Sequence, residues 1–404
     1  MKILVSLLYY RPYVSGLTIY AERLSRALAA RGHQVTVLTS QYDRSLPREE
    51  ALHGVRVLRV PVAFRLSKGV IMPSYGLVAW KMVREHDVLN LHLPQFEASG
   101  VALRGHWLKK PVVLTYHTDL KLPPGLFSRL IDRAVMVSNR LAARWVDAVA
   151  AYTKDFAVHS PFVSRYLPKV HVIPPPVDIP TPKPEDVAAF RARWNPGGNR
   201  LIGMATRLAS EKGVEVLLDA LPHVHREFPD AHVMYAGQHE GVLGEEAYFR
   251  KLAPLFDRWR GHITFLGILD PYQMAAFYSN LDTLVVPSTN STETFGLVQV
   301  ESMLCGTPSI ASDLPGVRQP VRMTHMGEVV PVGDSAALAE AIMRVLRNRD
   351  RYVRPRGDIE ALYSTDRTAE RYERLFEDLL AMKSRHGVQA TPEQPLYGRM
   401  TNDD

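Results

Sequence analysis

The stretch ETFGLVQVE, Glu293 to Glu301, sets two carboxylates around a Phe-Gly-Leu core. Paired acids can share a proton or a metal ion, or they can hold two ends of one ligand. If the whole stretch were helical, the glutamates would stand about 80° apart around the axis and about 12 Å along it. That is too far for one proton or one metal ion, and it suits a ligand of nucleotide-sugar length. An acid accepting from two vicinal hydroxyls is the usual way to hold a ribose or a sugar. Ahead of the pair, LDTLVVPS reads as a strand and Thr289 to Thr294 as a polar loop, with a helix expected to begin near Phe295. The amides of Phe295, Gly296 and Leu297 would then lack helical partners, and Gly296 would let a ligand approach the backbone closely.

Three further groups of residues follow strand signals. In GMATRLASEKGVEVLLDAL, Arg207 and Lys212 lie between a strand and a helix. Two cations there suit a diphosphate, Arg as a fork of donors and Lys as a point charge. Glu211 reads as a surface acid, and a solvated charged loop is the plainer alternative. In YRPYVSGLTIYAERL, the Ser15-Gly16 turn opens a helix whose amides and dipole suit a phosphate. It is not the G-x-G-x-x-G fingerprint of dinucleotide enzymes, and an ordinary strand-to-helix turn is the alternative. In VVLTYHTDL, His117 and Asp119 end a strand. His117 can bond a sugar or assist proton transfer, or it can be a satisfied core histidine.

The elements that must carry these residues alternate. MKILVSLLYY, QVTVLTS, GVRVLRVPV, DVLNLHLP and PVVLTYHTD read as strands, with helical spacing from Thr18 to Arg31 closed by Gly32. RLIGMATRL, AHVMYAGQ, HITFLGIL, LDTLVVPS, PSIASD and GEVVPV repeat the pattern. Strands separated by helices argue for parallel, doubly wound α/β sheets. Between the two series, PPPVDIPTPKPED holds six prolines and reads as a stiff linker without helix. The expected units are residues 1–176, residues 177–364, a last helix over 365–382 and a polar tail over 383–404. Two such domains make a cleft at the carboxyl ends of their sheets.

Composition narrows the classes. At 404 residues, the chain is too long for one ordinary core. The one cysteine, Cys305, excludes an internal disulfide and fits a reducing cytoplasm. MKILVSLLYYRPY reads as a first strand and not as a signal peptide. The net charge of +7 is uneven: Met1 to Asp178 holds 24 Lys and Arg against 12 Asp and Glu, and the remainder 25 against 30. The first half is therefore expected to meet something anionic. Nucleic acid is not expected, because no zinc knuckle, RNP motif or basic helix-turn-helix is present. RLSKGVIMPSYGLVAWKMVREH flanks an apolar run with Arg65, Lys68, Lys81 and Arg84, which suits an anionic membrane surface. A buried helix is the alternative.

Taken together, the chain resembles the retaining glycosyltransferases of family four (glycosyl transferases group 1), of GT-B fold. The resemblance runs from about Met1 to about Leu380. It rests on the glycine turn after the first strand, on His117-Thr118-Asp119, on Arg207 with Glu211-Lys212-Gly213, and on Glu293…Phe295-Gly296-Leu297…Glu301 followed by Cys305-Gly306-Thr307-Pro308. It implies a nucleotide-diphosphate sugar bound mainly on the second domain. Glu301 would hold the ribose, and Arg207 and Lys212 the diphosphate. Glu293, Thr294 and the amides of Phe295 to Leu297 would lie along the sugar. Ser15 and Gly16 would face the phosphate, His117 would sit beside the sugar, and the base would lie near Leu266, Gly267 and Leu269. No cofactor or metal is expected, and the final helix would cross back to the first domain. Ser15-Gly16 stands where the family has a glycine pair, Thr206 where it has a glycine, and Pro174-Pro175-Pro176 before Val177-Asp178 where it often has Asn-Gly.

The expected activity is transfer of a hexose from a UDP- or GDP-sugar to a lipid or glycan acceptor, in the cytoplasm and in contact with the inner face of the membrane. A nucleotide-sugar epimerase of the same fold, or a non-catalytic nucleotide-sugar binder, is the alternative.

Overall fold

The computed structural model describes residues 1–66, 69–119, 126–242 and 244–386. The strands of the first half are β1 (Lys2–Ser6), β2 (Gln34–Gln41), β3 (Glu49–Leu52), β4 (Val55–Pro61), β5 (Phe64–Leu66), β6 (Gly69–Ile71), β7 (Val88–Leu93), β8 (Val112–Tyr116), β9 (Ala148–Ala151) and β10 (Val170–Val172). Those of the second half are β11 (Leu201–Ala205), β12 (His232–Ala236), β13 (Ile263–Gly267), β14 (Thr283–Val286), β15 (Ser309–Ser312) and β16 (Gly327–Val330). The first sheet runs in the order β10-β9-β8-β7-β1-β2-β4-β3 and the second β13-β12-β11-β14-β15-β16. Neighbours are parallel throughout except at the edge, where β3 turns back along β4. A separate antiparallel ribbon joins β5 and β6.

Burial explains why these segments are strands. Ile3, Leu4 and Val5 have no exposed surface, because a central parallel strand is covered by helices on both faces. Val5 is in register with Val37 on one side and Asn90 on the other. The helix Gly16–Ala30 begins on a capping box: Ser15 Oγ accepts from the Thr18 amide at 3.2 Å, and Thr18 Oγ1 accepts from the Ser15 amide at 2.8 Å.

Three sequence expectations are corrected. The helix after Glu293 begins at Leu297, not near Phe295, because Gly296 takes the left-handed conformation at φ 76° and turns the chain into it. The proline-rich linker ends in helix: Pro184–Trp194 is helical, since a proline at the first helical position loses no hydrogen bond. The final helix extends to His386, and Lys383 Nζ lies 2.8 Å from Asp147. The remainder of the expected tail, and Lys68, fall outside the described residues.

Polar bonds and a shared apolar cluster join the two domains along their seam. The Arg318 guanidinium forks onto Asp155 at 2.8 and 2.6 Å, and the Gly316 amide adds a bond of 2.9 Å. Thr118 Oγ1 donates to the Thr292 carbonyl at 2.9 Å. The linker is strapped down by the Val177 amide on the Tyr363 carbonyl (3.0 Å) and by Thr368 Oγ1 on the Pro174 carbonyl (3.0 Å). The last helix packs on Gly16–Ala30, where the hydroxyls of Tyr20 and Tyr372 lie 2.8 Å apart.

Burial alone would raise the Asp155 carboxyl, but the Arg318 fork and the Gly316 amide outweigh it and bring the group down to about 2. Its folded value lies below the unfolded one of about 3.9. The stabilisation it brings is therefore complete above pH 4 and lost as pH falls toward 2. Arg318→Ala should cost about 3 kcal/mol in urea unfolding by stranding a shielded carboxylate. A loss below about 0.5 kcal/mol, the usual scale of an exposed pair, would show that the seam does not depend on it.

Candidate active site

The site is built where strand order reverses. β1 lies between β2 and β7, and β11 lies between β12 and β14. Connections leaving such neighbours diverge to opposite faces and open a crevice at the carboxyl ends. Into these crevices run the loop from β1 to Ser15, the loop from β11 to Gly213, and the loop from β14 to Gly296.

The last two loops are joined by a close backbone approach. Gly213 has φ 65°, and a Cβ there would fall 2.1 Å from the Pro287 carbonyl oxygen. The Thr289 amide donates to the Glu211 carbonyl at 2.9 Å. Lys212 and Glu293, far apart in sequence, are thereby brought into a direct salt bridge, and both are largely shielded from solvent. Arg207, on the same loop, pairs instead with Glu211 at 2.5 Å and stays 46% exposed. Glu211, expected as a surface acid, is thus the partner that orients Arg207.

Glu301 sits in the second turn of Leu297–Leu304. One carboxylate oxygen accepts from Arg23 Nη2 at 2.8 Å and the other from the Tyr278 hydroxyl at 3.1 Å. Burial, and then the Glu301 charge, push the Tyr278 hydroxyl well above its ordinary pKa, so it remains a donor. Next to Glu301, the Gln299 side chain holds the Phe295 and Val317 carbonyls at 2.9 Å each. Among the described residues, none accepts from the amides of Phe295, Gly296 or Leu297. Thr294 Oγ1 donates to the His117 carbonyl at 2.7 Å, and the Phe295 ring meets Tyr152 edge-on at 6.1 Å.

The remaining expected residues are placed as follows. The Ser15 side chain is engaged in its helix cap. A Cβ at Gly16 would meet nothing within 4 Å, so the space at that helix start is open. Leu266 and Leu269 are partly buried against the core. Gly267, between them, accepts from the Gly237 amide at 2.7 Å. Cys305 is no nucleophile: burial pushes its thiol up to about 12.

His117 differs from the expectation of a group open to substrate. It is 4% exposed. Its Nε2 lies 2.8 Å from His92 Nδ1, and its Nδ1 is bonded to the Tyr152 hydroxyl. Both ring nitrogens are therefore occupied. Burial first, and then His92, push its pKa well below the ordinary value, and burial alone brings His92 to about 3. It is the main-chain carbonyl of His117 that reaches the second domain, through Thr294.

Sequence reasoning did not single out Arg23, Tyr278, His92, Tyr152 or the Asp155–Arg318 pair. Arg23 and Tyr278 lie inside regular helices and His92 inside a strand, with no local motif to mark them. The alternation of DVLNLHLP does mark a strand at His92, and its central place in the sheet predicts a buried ring.

Comparison with known proteins agrees with this architecture. Residues 186–357 match the family described as glycosyl transferases group 1, and residues 14–180 match Glycosyltransferase Family 4. The chain is 30% identical to the phosphatidyl-myo-inositol mannosyltransferase of Mycobacterium leprae over 388 residues, covering 92% of this chain and 95% of that one. It is 26% identical to the GDP-mannose-dependent alpha-mannosyltransferase of Mycobacterium tuberculosis, covering 85% and 87%. Among solved structures, sucrose-phosphate synthase of Thermosynechococcus elongatus superposes with a TM-score of 0.74 at 23% identity, covering 94% and 99%. HepE of Anabaena in complex with UDP-glucose gives 0.73 at 19%, covering 94% and 100%. Two Rossmann-like domains meeting across a seam at their switch points define the GT-B class. The chain belongs to the glycosyl transferases group 1 family.

The buried histidines set a pH dependence. Both titrate below the unfolded value of about 6.5, so the folded chain keeps them neutral and the unfolded chain takes up protons first. Stability should fall below pH 6.5 by about 1.4 kcal/mol per pH unit for each. Urea unfolding between pH 6.5 and 4.5 should show this, and His92→Gln should flatten the slope by one proton. An unchanged slope would mean that His92 is charged in the folded protein.

Proposed function

We propose that the chain is a metal-independent retaining glycosyltransferase that moves a hexose from a UDP- or GDP-sugar to a lipid or lipid-linked glycan. The donor lies along the second domain. Glu301 takes the ribose hydroxyls and the Leu266–Leu269 segment faces the base. Arg207 and Lys212 take the diphosphate. Glu293, Thr294 and the amides of Phe295 to Leu297 line the sugar, while Ser15 and Gly16 bring the first helix start toward the phosphate. The observation that carries this reading is the junction of the two loops, which sets Lys212 against Glu293 beside amides from which none of the described residues accepts.

The chemistry follows from that junction. The bond between the anomeric carbon and the phosphate oxygen breaks, and its electron pair leaves with the diphosphate. Fixed cations and amide dipoles stabilise the growing negative charge without reorganising, which is why no metal ion is required. The anomeric carbon gains positive character. The acceptor hydroxyl oxygen bonds to it on the same face, and its proton passes to the departing phosphate oxygen. His117 serves by holding Thr294 and the sugar-side loop through its carbonyl, and closure of the seam limits attack by water. The relatives named for phosphatidyl-myo-inositol and for GDP-mannose support a lipid acceptor and mannose.

The first domain offers a surface for such an acceptor. The helices Tyr75–Glu85, Ala98–Trp107 and Leu126–Trp145 pack in a row. Their outward faces carry Leu77 (80% exposed), Trp80 (39%), Trp107, Val137 and Leu141. Lys81, Arg84, Arg133, Arg140 and Arg144 stand among them. Tyr75, Ala79, Met82 and Val83 are buried, so the first of these helices is core on one side and apolar outside on the other. No helix among the described residues is long and apolar enough to cross a membrane. An amphipathic, basic surface of this kind binds in the plane of an anionic bilayer.

Incubation with a panel of nucleotide sugars and lipid acceptors should release nucleoside diphosphate only when acceptor is present. Glu293→Gln should lower turnover by about a hundredfold, while Glu301→Gln should mainly raise the donor KM. Release without acceptor, with a rearranged sugar, would point to an epimerase, and equal effects of the two variants on both constants would refute their separate roles. In a second experiment, vesicles containing phosphatidylinositol or phosphatidylglycerol should retain the protein at low salt. The pair Leu77→Ser and Trp80→Ser should abolish this without changing nucleotide binding. Equal retention by neutral vesicles would overturn the anionic-surface reading.

A further inference from the structure

We propose that Arg23 is a positioning residue for the donor, fixing the Glu301 carboxylate and completing the ribose clamp only when the two domains and the linker are in register. This rests on the reading of Glu301 as the ribose acid. Arg23 belongs to the helix Gly16–Ala30 of the first domain, and Glu301 to the second. Its Nη2 donates to Glu301 at 2.8 Å and to the Asp178 carbonyl at 2.6 Å, and its Nη1 reaches toward the Pro176 carbonyl at 3.4 Å. One planar guanidinium therefore touches the first domain's helix, the linker and the donor-side helix together. The Arg23 and Glu301 side chains are 17% and 13% exposed, so solvent screens the contact little.

The valence of the carboxylate shows what the contact does. An ionised carboxylate has about four acceptor positions. Arg23 uses one on the first oxygen and Tyr278 one on the second. One lone pair on each oxygen then remains for two vicinal hydroxyls, and rotation about the last side-chain bond is blocked. Tyr278 alone would pin only one oxygen. Lysine would keep the charge but offers no planar fork to span Glu301 and the linker carbonyls. Because Arg23 and Glu301 stand on different domains, separating the domains removes this pin from Glu301. Donor grip and domain closure then become linked quantities.

Isothermal titration with UDP and with GDP, initial-rate kinetics and thermal melts on the full chain test this, using Arg23→Ala, Arg23→Lys, Glu301→Gln and the double variant Arg23→Ala/Glu301→Gln. Arg23→Ala should weaken the binding nucleotide about tenfold and raise the donor KM by a similar factor, with kcat changed less than about twofold. Arg23→Lys should recover part of the affinity with a melting temperature near that of the wild type, and it decides the question if the alanine variant does not fold. In the Glu301→Gln background, Arg23→Ala should weaken binding by less than about twofold further. Full multiplication of the two effects, or normal affinity in both Arg23 variants, would overturn the proposal. Normal affinity in Glu301→Gln would overturn the ribose assignment and this inference with it. Weak binding in Glu301→Gln with normal binding in both Arg23 variants would overturn the inference and leave the assignment standing.

Discussion

Each of the two glutamates that opened the sequence question is held by a cation from elsewhere in the chain: Glu293 by Lys212, and Glu301 by Arg23. A carboxylate withdrawn from water is tolerated only with a partner and with its remaining lone pairs satisfied. The fold supplies those partners from different places. Lys212 comes from the loop after β11, which the Gly213–Pro287 approach fastens to the loop carrying Glu293. Arg23 comes from the first domain's first helix. One carboxylate therefore takes its cation from its own domain, and the other takes its cation from across the seam, with Tyr278 of its own domain on the second oxygen. This asymmetry separates the chemical end of the proposed donor site, which is built locally, from the nucleotide end, whose fixing depends on the relation of the domains.

The seam combines apolar contact, such as Tyr152 on Phe295, with a set of polar bonds. The Asp155–Arg318 fork, the Thr118–Thr292 bond, the Thr294–His117 bond and the Arg23 contacts all use charged groups, hydroxyls or carbonyls. Such groups are also satisfied by water, so these bonds fix the register of the domains more than they add to the cost of separating them. One buried apolar cluster reaches from Ile3 and Val5 of the first sheet to Leu201 and Leu284 of the second, and the linker is strapped through Pro174 to the last helix and through Val177 to the Tyr363 carbonyl just before it.

Much of this was legible in the sequence, because strand-helix alternation and loop position are local properties. The two sheets, the loops at their carboxyl ends and the closeness of Arg207 and Lys212 to the second switch point follow from that alternation. The start of the helix at Leu297 was misplaced by two residues, since nothing in the local pattern marks Gly296 as left-handed, with φ 76°. Pro184 was read as a breaker although the first turn of a helix accepts it. His117 lies at a strand end, where side chains usually face the crevice. Its ring turns inward because His92 on the neighbouring strand and Tyr152 after β9 offer partners that only the assembled sheet brings near. Arg23 has no local signature at all, its carboxylate partner being 278 residues away.

The charge imbalance of the first half also changes meaning once its residues are located. Part of that positive charge is internal. Arg59 is fully buried against Glu50 and two loop carbonyls, Arg31 is tied to Glu373 on the last helix, Arg11 to Glu22, and Lys169 to carbonyls at the end of Leu126–Trp145. These charges hold the fold and cannot attract a distant partner strongly, because their fields are neutralised nearby. Among the rest, Lys81, Arg84, Arg133, Arg140 and Arg144 lie on the helix row that also exposes Leu77, Trp80, Trp107, Val137 and Leu141. Apolar and basic groups on one face are what an anionic interface recognises, whereas either kind alone would be an ordinary surface. It is the coincidence of the two kinds of group on this helix row, more than the total charge, on which the proposed lipid acceptor rests.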